Sequence, residues 1–165
     1  MGKVISFIKE DVDSMFDIFE VATTLLALCG EMTHKKLQKL CYYVYAWNIA
    51  LLDEPILRAE FQGWVHGPVC PELFQRYKGM YTVKTSEQIP DRVMKSEEMM
   101  LLINQIIRIY GNLDGESLEN LTHQEEPWQA SRIGLQPWQG GKVVLSDSII
   151  RRYYLKELEG DIDNV

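Results

Sequence analysis

From Leu40 to Leu52 almost every position is apolar or aromatic, so a helix through this stretch has no polar face to show to water. A helix that is apolar all round must be surrounded by other elements. Thr33 is placed to cap its start, a position where a side-chain oxygen is worth about 1 kcal/mol. Leu37, Leu40, Cys41, Val44, Trp47 and Leu51 then continue one stripe at three-and-four spacing, until Asp53-Glu54-Pro55 breaks the pattern. The rest of the chain is therefore expected to wrap around one central helix.

The flanking segments are mostly helical too. Val12, Met15, Phe16, Phe19, Ala22 and Leu26 form a stripe that Asp11 can cap and Gly30 can stop. Residues 56–65 carry short extended pieces that can pair as a hairpin, and Gly67-Pro68 reads as a rigid corner. Pro71 suits the first position of a short helix with Leu73, Phe74 and Tyr77 inward, ended by Gly79. Residues 81–92 read as loop or edge pairing. Ser96 to Tyr110 returns to helix, with Met99, Ile103, Ile106, Ile107 and Tyr110 inward and Asn104, Gln105 and Arg108 outward. Ser117 is placed to cap a short helix carrying Leu118 and Leu121, and Pro127 must sit in the first turn of another, which Trp128 continues. A glycine-rich loop over 134–141 precedes a closing helix from Ser146 to Leu158 through Ile150, Tyr153 and Tyr154. The expectation is a mainly α fold of about six helices, with a hairpin or short strands near 56–66 and 81–90. It spans 1–165 as one domain, with its core over about 11–158 and a frayed acidic tail over about 160–165.

Composition narrows the function. The chain has 165 residues, 46% hydrophobic and 25% charged, enough for one soluble domain with an ordinary core. Its net charge of −7 argues against attraction to phosphate backbones, which needs clustered Lys and Arg. Cys29, Cys41 and Cys70 lack metal-site or redox spacing and read as small buried hydrophobes of a reducing cytoplasm. No apolar run reaches the roughly 18 residues of a membrane span. Met1-Gly2-Lys3-Val4-Ile5-Ser6 matches a loose myristoylation pattern that has meaning only in a eukaryotic host.

Several clusters are candidates for chemistry. Lys35, Lys36 and Lys39 make a positive face, read first as solvated and alternatively as an anchor for an acidic partner or a phosphate. His66, Cys70 and Glu72 would line the pocket of a hydrolase-like enzyme, with His34 and His123 as further bases. No nucleophile elbow, phosphate loop or H-E-x-x-H spacing accompanies them. Pro68 between His66 and Cys70 also forbids the regular turn a metal pair would need. Trp47, Trp64 and Trp128 read as core, or as interface anchors where exposed. The run from Gly111 to Glu126 holds Asp114, Glu116, Glu119, Glu125 and Glu126 without one Lys or Arg, and so can steer a basic surface.

Three motifs in order carry a resemblance. Thr33-His34-Lys35-Lys36-Leu37-Gln38-Lys39-Leu40-Cys41-Tyr42-Tyr43 with Trp47 comes first. Trp64-Val65-His66-Gly67-Pro68-Val69 with Pro71-Glu72-Leu73 follows, then Thr122-His123 with Glu126-Pro127-Trp128. Together, from about residue 16 to about residue 155, the chain resembles the Panacea domain of SocA-like antitoxins and phage-associated GepA proteins. The departures are Gly63, where alanine is commoner, and Phe74, where tyrosine is. The resemblance implies a helical, cytoplasmic bacterial or prophage protein that neutralises a toxin encoded beside it by direct binding. Some relatives deliver the bound toxin to a protease. From the charge, the apolar runs and the spacing above, no cofactor, metal, membrane or direct nucleic-acid contact is expected, and a homo-oligomer is possible. Thr33, Lys36, Leu37, Leu40, Tyr43, Trp47, Gly67, Pro68, Val69, Pro71, His123 and Pro127 are then expected to be structural. The expected contact set is Trp64, His66, Glu72, Phe74, Glu119, Glu125, Glu126 and Trp128, with the acidic groups steering association and the aromatics locking it.

Overall fold

The computed structural model describes residues 14–163; the Asp11 cap, Val12 and the myristoylation pattern lie outside them. The fold is mainly helical, 58% in eight helices, with a few short strands among the described residues. The helices are α1 (Ile18–Cys29), α2 (His34–Leu51), α3 (Pro71–Tyr77), α4 (Asp91–Met94), α5 (Glu97–Tyr110), α6 (Gly115–His123), α7 (Glu126–Ser131) and α8 (Asp147–Asp163). The strands are β1 (Phe16–Asp17), β2 (Met32–Thr33), β3 (Leu57–Arg58), β4 (Gln62–Trp64), β5 (Gly67–Val69) and β6 (Thr82–Val83).

The axis is α2, as its apolar girth requires. Leu37, Leu40, Cys41, Tyr43, Val44 and Ala46 are all fully buried, and α1, α5, α6 and α8 pack around them. Thr33 Oγ1 accepts the Lys36 N–H at 3.1 Å and so caps the helix. Leu51, the last residue of the stripe, is exposed because the surrounding helices no longer cover the end of α2. Buried Asn48 holds the chain beyond the Asp53-Glu54-Pro55 break. Its Oδ1 accepts the N–H groups of Ile56 at 2.7 Å and Leu57 at 3.0 Å, and its Nδ2 donates to Leu57 O at 3.3 Å.

Several local expectations change. Helix α1 is capped by Asp17, whose carboxylate accepts the Glu20 N–H while Glu20 accepts the Asp17 N–H, a reciprocal box. Met15 and Phe16 precede the helix because β1 pairs in parallel with β3, and that pairing requires an extended chain. The expected 56–66 hairpin is accordingly displaced: β4 pairs antiparallel with β5, Trp64 opposite Gly67. The chain reverses over Val65-His66 because Gly67 adopts φ +104°, open to a residue without Cβ. The Gly67-Pro68 corner is thus the start of a strand. On the other side of β4, Gly63 N–H donates to Val143 O and Leu145 N–H to Phe61 O, each at 2.9 Å.

In the 81–92 region β6 pairs antiparallel with β2, and a short helix, α4, follows because Val93 reaches the core. Asp114, not Ser117, caps α6 by accepting the Ser117 N–H at 2.8 Å, its charge also favoured by the helix dipole. Helix α8 continues through Gly160 to Asp163, where a frayed tail was expected; one glycine costs a helix only about 1 kcal/mol. Cys29 is exposed at the end of α1, whereas Cys41 and Cys70 are buried. Gly30 (φ +81°), Pro71, Ser96 and Pro127 punctuate the helices as expected. Among the described residues no helix is long and apolar enough to cross a membrane.

Candidate partner-binding site

The first turns of α2 are not the solvated positive face their lysines suggest, because α6 and the β4–β5 hairpin pack over them. Lys36 Nζ donates to Gly111 O at 2.6 Å, satisfying a carbonyl at the end of α5. Lys35 Nζ pairs with Glu116 at 2.6 Å and Glu119 at 3.2 Å. Lys39 is only 1% exposed, and its Nζ donates to Pro68 O at 3.1 Å. That carbonyl lies where, among the described residues, no further strand pairs with β5, so the lysine satisfies an acceptor the sheet leaves over. Burial pushes the Lys39 amine down to about 7, with the Glu119 charge opposing and Lys35 adding to the shift. A Cβ at Gly67 would come within 2.6 Å of Lys39 Cε and 2.9 Å of Thr122 Oγ1, so this glycine is required by space as well as by its φ.

Beside Lys39, a pocket of about 660 Å³ opens between α2, the hairpin, α3 and residues 140–142. Trp64 and Phe74 meet edge to face at 4.9 Å, and Phe74 stacks on His34 at 5.5 Å. Gln38 clamps the start of α3: its Oε1 accepts the Cys70 N–H at 3.0 Å and its Nε2 donates to Cys70 O at 3.4 Å. The His34 imidazole is biased toward its neutral form, chiefly by burial and then by the Lys39 charge. At the mouth, exposed His66 donates from Nδ1 to Glu119 Oε1 at 2.5 Å. Burial alone would raise the Glu119 carboxyl, but the hydrogen bonds from Lys35 and His66 outweigh it and hold the group below its ordinary value.

The far wall depends on Arg132, itself buried. It donates to Gly63 O at 3.2 Å, Gln136 O at 3.0 Å and Gln139 O at 2.5 Å, tying the 134–141 loop to β4. This places Gly140, Gly141 and Lys142 on the pocket. The departure at Gly63 has a local cause: a Cβ there would run into Ser131 Oγ and lie 2.8 Å from Ser131 Cβ.

A second ionisable group lies buried along α2. Glu125 Oε1 accepts hydrogen bonds from Tyr43 at 2.8 Å and Tyr154 at 2.9 Å, while Tyr42 donates to Tyr154 at 3.2 Å. Tyr43 stacks on Tyr110 with ring centroids 3.9 Å apart. Burial raises the Glu125 carboxyl to about 7 despite the two phenol donors.

Of the expected contact set, Trp64, His66 and Phe74 converge on the pocket. Glu72 is exposed on α3 outside the lining, and Trp128 stacks on His123 at 4.0 Å and donates to Trp64 O at 2.8 Å, supporting the hairpin from beneath. Glu119 sits behind His66 and Lys35, Glu125 lies in the tyrosine cluster, and Glu126 pairs with Arg152 at 2.6 Å. The acidic run is therefore largely engaged within the fold. Trp47 is half-buried and donates to Tyr110 Oη at 3.0 Å. His66 pairs with Glu119 rather than Cys70, and burial raises the Cys70 thiol, disfavouring the thiolate a nucleophile needs. Gln38, Arg132 and Lys142 escaped sequence reasoning. Gln38 does lie inside the quoted K-K-L-Q-K-L block, but nothing local marks Arg132 or Lys142.

Residues 37–129, more than half of the chain, match the family model for the antitoxin SocA-like Panacea domain, and the protein belongs to that family. No curated protein and no solved structure matches the chain.

Proposed function

We propose that this protein is an antitoxin that neutralises a cognate protein toxin, encoded next to it, by direct binding through the face around the pocket. Family membership supports the antitoxin role. The observation that carries the docking face is the open, aromatic-walled pocket at Trp64 and Phe74, built where two of the family motifs meet. Half-buried aromatics of this kind are the groups that anchor protein interfaces. The action is steric, a preformed surface covering the toxin's working surface, with no chemistry and no cofactor. A standard interface of about 800 Å² per partner suffices when a few such anchors are buried.

The test is co-expression of the neighbouring reading frame with and without this chain. A toxic neighbour, rescue that titrates with the amount of antitoxin, and co-purification of the two are the expected results. A harmless neighbour that does not co-purify would sink the reading. Rescue at far below equimolar antitoxin would instead favour an enzyme, or an adaptor that delivers the toxin to a protease.

A further inference from the structure

The charges around the pocket say what it is built to receive. The chain carries −7 overall, yet among the described residues no aspartate or glutamate lines this cavity, whereas Lys35, Lys39, Lys142, His34 and His66 all do. Outside the lining, Glu116 and Glu119 are held by Lys35, and Glu119 also by His66. Lys39 is enclosed, with a single carbonyl as its hydrogen-bond acceptor. Lys142 is exposed at the opening and has no ion pair among the described residues. A basic side chain entering here would meet the unpaired charge of Lys142, the other lining cations being paired or biased toward neutrality, and an uncharged one would leave Lys142 without a counter-ion. The remaining wall is apolar, from Trp64, Phe74, Val65 and Val69. A volume of this size lies within the range of about 300–1,000 Å³ typical of ligand pockets and holds one or two side chains.

Resting on the reading of the chain as a toxin-binding protein, we infer that the pocket takes an acidic residue of the partner flanked by an aromatic or large aliphatic one. The apolar group lies against Trp64 and Phe74, and the carboxylate lies at Lys142. This reverses the polarity that the acidic composition suggests: the contact is made at an exposed lysine of a net-negative protein.

The pocket chemistry is tested on the full-length, isotope-labelled protein by NMR titration with 3-phenylpropionate and with 3-phenylpropanamide. The carboxylate is expected to shift the Trp64 indole N–H and the Gly141 amide saturably in the millimolar range, and the amide to bind about tenfold more weakly, the loss of one charge-assisted contact. Lys142→Gln should bring the carboxylate down to the amide's affinity with the melting temperature unchanged, and Lys156→Gln on α8 should do nothing. Equal binding of the two probes, saturable shifts elsewhere, no saturable shift up to about 20 mM, or an unaffected Lys142→Gln variant would overturn the inference.

The partner arm uses the co-expressed neighbouring protein. Lys142→Glu is expected to weaken its capture about tenfold. Undiminished capture by Lys142→Glu would defeat the acidic-contact inference and leave the antitoxin reading standing. If the wild type captures nothing while the probe experiment succeeds, the antitoxin reading falls and the anion pocket remains.

Discussion

Helix α2 buries ionisable chemistry at two places, and the two are built differently. Toward its middle, Glu125 is met by two phenol donors, with Tyr42 and Tyr110 completing an aromatic cluster. The cluster joins α7 and α8 to the axis. Near its first turns, Lys39 has one carbonyl acceptor and borders a cavity with another cation at its mouth. A buried charge whose hydrogen bonds are all supplied by the fold belongs to the fold. One with a single acceptor supports the wall of a cavity, where the exposed Lys142 can meet an incoming group. The contrast separates the structural end of this protein from the end proposed to bind.

The sharpest way to break that contrast is to damage each end and compare stability with binding. Tyr43→Ala removes a fully buried ring and should cost about 3–5 kcal/mol in urea unfolding, enough to unfold the chain under mild conditions. A loss below about 1 kcal/mol would mean the cluster is not the structural end.

The two buried groups also predict opposite pH responses. Glu125 titrates near 4.5 when unfolded and near 7 in the fold, so between these values the native state holds the extra proton. Its contribution is fully present below 4.5 and falls as pH rises toward 7, by about 3 kcal/mol. Lys39 falls from 10.5 to about 7, so there the unfolded state holds the extra proton and stability rises between those values. Relative to Glu125→Gln, the wild type should lose stability on going from acid to neutral pH. Relative to Lys39→Met, it should gain stability from neutral to alkaline pH. Parallel pH curves for wild type and variant would show that the group in question does not titrate as described.

Gly67→Ala should cost about 2 kcal/mol, through its φ and the Lys39 contact, and should weaken binding of the proposed partner with it. Trp64→Ala should weaken binding of the proposed partner by about 2 kcal/mol with a smaller loss of stability, measured by calorimetry and thermal melting. The smallest effect is expected at His66→Ala. Its imidazole is exposed, so the fold should be spared, and a changed affinity for the proposed partner would then report contact at the hairpin turn.

Local physics made much of the fold legible. A segment with no polar face must lie inside, and Thr33, Gly30, Pro71 and Pro127 each act within one turn of the chain. The start of α1 was misread because Met15 and Phe16 keep a helical spacing while β1 extends to meet β3, a partner invisible to periodicity. The aromatic part of the candidate site was legible at Trp64, His66 and Phe74 because a dense turn puts them close in sequence. Its charged part was not. Glu119, Glu125 and Glu126 form one acidic run in sequence, yet each turns to a different partner in space.

By itself, then, the sequence determined the central helix, most helix boundaries and the family, because each depends on short-range spacing or on motifs in order. Tertiary structure alone decided that Lys39 is enclosed, that the Gly67-Pro68 corner is half of a hairpin, and that Lys142 stands at the mouth of a pocket with Trp64. Burial and charge pairing depend on which distant segments arrive at a surface, and a lysine on a helix carries no local mark of what will cover it.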